Sequence, residues 1–442
     1  MTEHPTPFER GLTEVATGRR TLLRAGATGL AFSVAGGGGF VAQSAAAAAA
    51  RPRTRLRRRR RAYVLVIDGC RPDELDQGLT PRLAALRDGG LAFPRAASLP
   101  VMETIPNHVM MMSGVRPDRT GVPANSVYDR AEGDVRTLDR PTDLRGATLL
   151  DRLAANGLRT GSVLSKEYLY GIFGTRATYR WEPQPTLPVT EHAPDAFTVQ
   201  AAIDMVDTFD PHLVFVNLGD IDRFGHSDLT GPLGLKALRR TALADTDLLV
   251  GRFVDHLRRT GRWDRSMLLV LADHSMDWST PDRVVSLARP FAADPLLAGQ
   301  VQIADNGGAD LLYWTGDPAR RAEAVARMQA VASTVPGVLA TYATTEPSLR
   351  LGPEAGDVIA YCQAGWRFSD PTLLANPIPG NHGHPATEPI PFFVTGGHPS
   401  LPRGTVSSRR ARTVDVAPTV GEFLGLRAPS GGYDGRSRLR RR

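Results

Sequence analysis

Three stretches of this chain are apolar at consecutive positions rather than at every second or every third to fourth one. They are Ala62-Tyr-Val-Leu-Val-Ile-Asp68, His212-Leu-Val-Phe-Val-Asn-Leu-Gly-Asp220 and Met267-Leu-Leu-Val-Leu-Ala-Asp273. Runs of this kind predict strands covered on both faces, as in a parallel sheet. Each run ends in an aspartate. Helical signals fall between them, at Ala147 to Asn156 ahead of a short strand at Ser162 to Ser165, and at Asp245 to Thr260 ahead of Met267. The alternation predicts an α/β fold, a doubly wound, mostly parallel sheet with helices on both faces. In such sheets ligands bind beyond the carboxyl ends of the strands, so residues distant in sequence converge there.

After Asp273 the pattern breaks. Asp310-Leu-Leu-Tyr-Trp314, a helical Pro318 to Val335 and Val338-Leu-Ala-Thr-Tyr342 read as a small β-α-β-like unit, and Pro391-Phe-Phe-Val-Thr395 returns the chain to the core. The expected organisation is a catalytic core in two parts, 62–285 and 373–430, with a small α+β cap inserted at 286–372. An insertion placed between candidate ligands must lie near the site, where it would shape the pocket.

The polar residues at the ends of these runs carry the chemistry. Asp222 and His226 stand four apart, close enough to reach one cation; Asp273-His274 forms a second pair at a strand end; His382 sits in the glycine-rich turn Gly380-Asn-His-Gly-His-Pro385. With Asp68 and Thr104 they make seven residues, Asp68, Thr104, Asp222, His226, Asp273, His274 and His382, suited to a two-metal phosphoryl-transfer site. Aspartate and histidine without thiolate favour zinc, and also accept manganese or iron. Thr104 is the candidate nucleophile, since a cation can ionise a hydroxyl that is otherwise unreactive. The apolar Val109-Met-Met-Met-Ser-Gly114 reads as the first turns of a helix, whose N-terminus would favour an anionic phosphate. Asn125, in a turn, could donate to a non-bridging oxygen. Taken singly, an aspartate at a strand end is more often a turn former or cap; it is the convergence of roles that supports a site. Met110, Met111 and Met112 read as core filling. His108 and His384 fit equally as hydrogen-bonders that orient ligands or as packing residues.

The sequence resembles the alkaline phosphatase superfamily, and within it the nucleotide pyrophosphatase/phosphodiesterase branch. The resemblance runs from Ile67-Asp68-Gly69 and Arg71 through Thr104-Ile-Pro-Asn-His108, Ser113-Gly-Val-Arg-Pro-Asp118, Gly121 and Asn125. It continues with Asp222, Gly225-His226 and Gly231-Pro232, then Asp273-His274, His382-Gly383 and Asp415-Val-Ala-Pro-Thr-Val420 with Phe423-Leu-Gly425, covering roughly residues 62–426. It implies one metal held by Asp222, His226 and His382, a second by Asp68, Thr104, Asp273 and His274, and a phosphoryl group steadied by Asn125. The implied activity is hydrolysis of diesters or nucleotide pyrophosphates through a phosphothreonyl intermediate. Two departures stand out. Asp273-His274-Ser275-Met276 has serine where the branch usually has glycine. The segment Leu164-Ser-Lys-Glu-Tyr-Leu-Tyr170 lacks the tryptophan-rich substrate loop and is closer to the lysine-containing segment of phosphonoacetate hydrolases, which nominates Lys166 and Tyr168 as substrate contacts. A phosphonoacetate-type hydrolase and a phosphomonoesterase share the site as alternatives. No arginine is identifiable to meet a dianion, which favours the diester. Cys70-Arg-Pro72 superficially matches a sulfatase nucleophile, but Glu74 stands where that motif needs arginine.

With 442 residues, 42% hydrophobic and 22% charged, the chain can bury a large core. Gly18-Arg19-Arg20-Thr-Leu-Leu-Arg24, a glycine-rich apolar stretch and the alanine run Ala45 to Ala50 read as a twin-arginine export signal over 1–50. The four glycines Gly36 to Gly39 argue against a stable membrane span. The expected location is therefore secreted, periplasmic or in the cell wall, with the export machinery as a partner and a small-molecule phosphate ester as substrate. The formal charge of +7 is concentrated in eight arginines of a basic linker at 51–61 and five of a basic tail at 431–442. Such blocks read as disordered tails with a weak capacity for polyanions. They also supply the non-enzyme alternative, an inactive polyanion-binding wall protein. Whether Cys70 and Cys362 pair is not decided by sequence.

Overall fold

In the computed structural model the consecutive apolar runs lie side by side. The described residues are 41–42, 59–183, 192–227, 237–369 and 379–439. The expected export signal apart from Val41–Ala42, most of the basic linker, Gly231-Pro232 and the last three arginines lie outside them. The described residues belong to one unit, Gly39–Arg442.

The main sheet has nine strands in the order Val41–Ala42, Tyr179–Trp181, Thr160–Leu164, Leu213–Leu218, Arg61–Ile67, Ser266–Leu271, Phe392–Thr395, Leu91–Ala92 and Thr405–Val406. The five from Tyr179–Trp181 to Ser266–Leu271 run parallel. Phe392–Thr395 joins antiparallel, pairing Phe392 with Leu271. Every residue of Arg61–Ile67, Leu213–Leu218 and Ser266–Leu271 is buried, which explains the unbroken apolar pattern. Neighbouring positions feed opposite faces: Tyr63 meets Phe253 edge-on at 5.4 Å between ring centroids, whereas Phe215, paired with Val64, meets Phe173 at 5.7 Å. Phe253 lies on the helix Ala237–Arg259, which packs with Asp195–Phe209; Phe173 lies on Glu167–Phe173, which packs with Thr104–Ser113.

A second, antiparallel sheet has the order Val301–Asp305, Ala309–Trp314, Val358–Cys362, Val338–Ala343. Its two inner strands alternate between cores. Leu311, Tyr313, Ile359 and Tyr361 belong to the main core, while Leu312, Trp314, Val358 and Ala360 join Met328 of the helix Arg321–Ser333 in a smaller one.

Two local expectations change, and one open question is answered. The helix after the candidate nucleophile starts at Thr104 itself, not at Val109, and ends where Gly114 takes φ 72°. The arginine blocks are partly structural. Arg61 is the buried first residue of the central strand and bonds Asp210 at 2.9 Å. In the tail, the Arg438 side chain and the Arg436 backbone each bond the buried Asp415 at 2.7 Å. These arginines have internal carboxylate partners, so this part of the tail is ordered against the core. Finally, Cys70 and Cys362 are both buried and free.

Candidate active site and metal centre

Strand register builds half of the site. Val66 pairs with Leu271, so two residues further on Asp68 and Asp273 emerge side by side, with Gly69 N donating to Asp273 Oδ1 at 3.2 Å. His274 follows directly, and its Nε2 lies 3.3 Å from Asp273 Oδ2 and 3.7 Å from Asp68 Oδ1. The other half comes from one turn of the helix Asp220–Ser227 and a distant loop. His226 Nε2 lies 3.4 Å from Asp222 Oδ1, and His382 Nε2 lies 4.0 Å from the same oxygen. The halves abut, with the rings of His274 and His382 stacked at 3.7 Å.

These residues fit divalent cations. In each trio, Asp68–Asp273–His274 and Asp222–His226–His382, one potential ligand atom per residue lies within 4.8 Å of the others. Asp68 Oδ1, Asp222 Oδ1 and Asp273 Oδ2 are buried without a hydrogen-bond partner, a costly arrangement unless a cation is meant to meet them. Each histidine turns Nδ1 to a backbone carbonyl: His226 to Gly380 at 2.7 Å, His274 to Ser275 at 2.9 Å and His382 to Met102 at 3.2 Å. Donation of the Nδ1 proton leaves the Nε2 lone pair for a metal. A third cluster, His192, Asp195 and Asp220, differs. There Asp195 and Asp220 accept each other's backbone N–H, and Thr246 and His192 take the remaining oxygens. With its carboxylates engaged, it reads as a structural brace.

Thr104 Oγ1 sits 3.1 Å from His274 Nε2. Asn125 is fixed from two sides: its Oδ1 accepts from Ile105 N at 2.8 Å and its N donates to Glu103 Oε2 at 2.7 Å. That leaves the Nδ2 donors for the cavity of about 590 Å³ that Thr104 and Asn125 line. Burial pushes the Glu103 carboxyl up to about 8.

Lys166 has internal partners as well as a place in the cavity lining. Its Nζ bonds Asp222 Oδ2 at 2.7 Å and Asp68 Oδ2 at 2.9 Å, joining the two groups through the oxygens their orphan partners leave free; Tyr168 lies beside it, ring centroid 5.8 Å from Nζ. Both line the cavity. Burial works against the charge on Asp222, but the Lys166 ammonium and His226 outweigh it and hold the carboxyl well below its ordinary range. Burial and Asp273 push Asp68 up to about 6, against the pull of Lys166.

Further residues support the site, Asn217 and Asn306 among them from outside the motifs. Asn217 donates to Asp68 Oδ2 at 2.8 Å and to His108 Nε2 at 3.0 Å, while His108 Nδ1 bonds Thr104 O at 2.8 Å. His108, through Asn217, thus ties the backbone of the candidate nucleophile to the Asp68 carboxylate. The signal for Asn217 was a lone amide inside an apolar run. His384 instead bonds Asp277 at 2.9 Å, one step away from the ligands. From the second sheet, the turn after Val301–Asp305 places Asn306 against the Ser126 backbone at 2.9 and 3.1 Å, and Gly308 N donates to His382 O at 2.7 Å. Arg223 and Arg367 also line the cavity.

Residues 62–385 match the family described as Type I phosphodiesterase / nucleotide pyrophosphatase. This chain belongs to that family. An uncharacterized pyrophosphatase/phosphodiesterase of Schizosaccharomyces pombe is 23% identical over 52% of this chain and 47% of its own length. The bis(5'-adenosyl)-triphosphatase of Bos taurus is 23% identical over 50% of this chain and 48% of its own length. The chain therefore spans about half the length of these curated relatives. Among solved structures, an inactive variant of murine ectonucleotide pyrophosphatase/phosphodiesterase 5 in complex with AMP superposes with a TM-score of 0.69 at 18% identity, covering 84% of this chain and 96% of the other. Phosphonoacetate hydrolase from Sinorhizobium meliloti with phosphonoformate gives 0.63 at 19% identity, over 83% and 96%. At such identities the likeness concerns the fold, an alkaline phosphatase-like α/β sheet. No helix among the described residues is long and apolar enough to cross a membrane.

Proposed function

We propose that this protein hydrolyses phosphodiester or nucleotide pyrophosphate bonds through a phosphothreonyl intermediate on Thr104. The observation that carries the reading is Thr104 Oγ1, first in a ten-residue buried helix and 3.1 Å from His274 Nε2, beside carboxylate oxygens with no other partner. Asp68, Asp273 and His274, with Thr104, would hold one divalent cation and Asp222, His226 and His382 another, zinc being favoured by the donor set; when bound, such ions ionise a hydroxyl and neutralise charge on phosphoryl and leaving oxygens. Thr104, its proton given up to solvent, forms a bond to phosphorus as the bond to the leaving oxygen breaks. Water then displaces the threonine and releases a monoester. Asn125 Nδ2 donates to a non-bridging oxygen, its carboxamide oriented by Ile105 N and its backbone N–H held by Glu103.

Family membership supports the preference for diesters and pyrophosphates. The cavity offers Arg223 and Arg367, so the expected lack of an arginine for a dianion no longer argues against a monoester. Lys166 in the cavity supports a second reading, a phosphonate hydrolase, in line with the fold of the phosphonoacetate hydrolase. A panel of an aryl diester, its monoester, a nucleotide pyrophosphate and a phosphonate tests the proposal: diester and pyrophosphate turnover should exceed the others, and Thr104→Ala should lose it while keeping its fold. Undiminished turnover by folded Thr104→Ala would overturn the mechanism. Twin-arginine export belongs to the same reading, and changing Arg19 and Arg20 to Lys should empty the exported fraction of activity. Polyanion contact would fall to arginines other than Arg61, Arg436 and Arg438; a chain lacking residues 440–442 that binds heparin as tightly as the full chain would remove that role from the tail.

A further inference from the structure

We propose that Arg239 is a positioning residue that fixes the separation of the two candidate metal groups. It is 1% exposed, the largest of the fully buried side chains, and lies near the start of the helix Ala237–Arg259. Its Nε and Nη2 engage Glu74 Oε1 and Oε2 at 2.7 Å each. That fork alone would satisfy the charge. The guanidinium does more: Nη2 also donates to Gly69 O at 2.8 Å and Nη1 to Ile221 O at 2.9 Å. Gly69 follows Asp68, and Ile221 precedes Asp222. One rigid, planar group therefore holds the backbone beside a ligand of each group.

The surroundings leave little slack. Gly69, at φ 70°, comes so near Asp222 that a Cβ there would sit 2.9 Å from Asp222 Oδ1; a Cβ on Gly225 would sit 2.5 Å from Arg239 Nη1. Trp278 closes the far side. Its ring lies 5.2 Å from the guanidinium carbon, and its Nε1 donates to Gly225 O at 3.1 Å, one residue before His226. A lysine keeps the charge but cannot span Glu74, Gly69 and Ile221 together, because it lacks the fixed fork. Groups behind metal ligands typically change metal affinity about 10- to 100-fold when removed.

The inference rests on the two-metal reading, and the test separates them. Purified wild type, Arg239→Lys and Trp278→Phe are titrated with Mn2+ alone, following stoichiometry by calorimetry and the exchange-coupled signal of a manganese pair by electron paramagnetic resonance. Circular dichroism checks the fold. Wild type should bind two ions and give the coupled signal; absence of a pair in wild type would sink the two-metal reading, and this one with it. In folded Arg239→Lys the second ion should bind at least about tenfold more weakly, with the coupling altered. Trp278→Phe should show a smaller loss in the same direction. A purely stabilising arginine would lower the melting temperature without touching affinity or coupling. Two ions bound at wild-type affinity and coupling in folded Arg239→Lys overturn the proposal, as does unchanged binding in Trp278→Phe where Arg239→Lys fails to fold.

Discussion

The two candidate metal groups use the same donors on different scaffolding. Asp68, Asp273 and His274 are fully buried and ride on adjacent parallel strands whose register sets their spacing. Asp222 and His226 depend on a single helical turn, with the His226 side chain 30% exposed, and His382 arrives from a loop beyond the inserted segment. A ligand set fixed by sheet hydrogen bonds resists adjustment. One fixed by a helix turn and a loop depends on braces such as Gly308, Arg239 and Trp278, and should yield first when those are weakened.

The sharpest way to break this contrast is to remove one ligand from each group. Asp273→Asn should lower turnover by about 10³-fold or more, several kcal/mol of transition-state stabilisation, and excess metal should not restore it. The apoprotein should not lose stability, since the buried Asp273 Oδ2 has no hydrogen-bond partner and the amide removes its charge, but this group's share of the metal-induced rise in melting temperature should go, a loss of about 3 kcal/mol at a hundredfold excess over Kd. His382→Ala should lose less, and added metal should recover part. Equal, unrecoverable losses in both would erase the distinction. Next in size, Asn125→Ala should reduce kcat by roughly 10²- to 10³-fold with metal content intact by elemental analysis. Asn217→Leu removes the donor to Asp68 and His108 and should weaken metal binding about 10- to 100-fold, measured by competition with a chelator. The smallest effect concerns the opposite end of the sheet. His212 precedes the strand Leu213–Leu218, and burial depresses it from 6.5 to about 4. The unfolded chain therefore takes up the proton first on acidification. Stability is complete above 6.5 and declines between there and 4 by on the order of 1 kcal/mol; His212→Gln should flatten the melting-temperature profile in that window.

The pattern of apolar runs closed by Asp68, Asp220 and Asp273 made the sheet readable, because strands buried on both faces write their burial directly into sequence. The candidate ligand residues that the fold brings together were legible for a related reason, since donors at strand ends and helical spacing are local signals. What stayed hidden is long-range. Nothing near Arg239 in sequence shows that it reaches Glu74, Gly69 and Ile221, and nothing near Arg438 shows Asp415. Arginine blocks look alike whether they meet solvent or a buried carboxylate. Lys166 was noticed in its segment, but its two aspartate partners are 98 and 56 residues away by number, and the cavity-lining Arg367 comes from a segment whose place only the fold reveals.

The inner strands Ala309–Trp314 and Val358–Cys362 give alternate residues to two hydrophobic cores. Cooperativity follows. Melting the smaller layer would strip the backing from Leu311, Tyr313, Ile359 and Tyr361 in the larger one, so the two should unfold as one transition. Asn306 and Gly308, set between strands of that shared sheet, tie it to Ser126 and His382. The side of the cavity formed by Asp305, Asn306 and Gly307 is thus anchored in both cores.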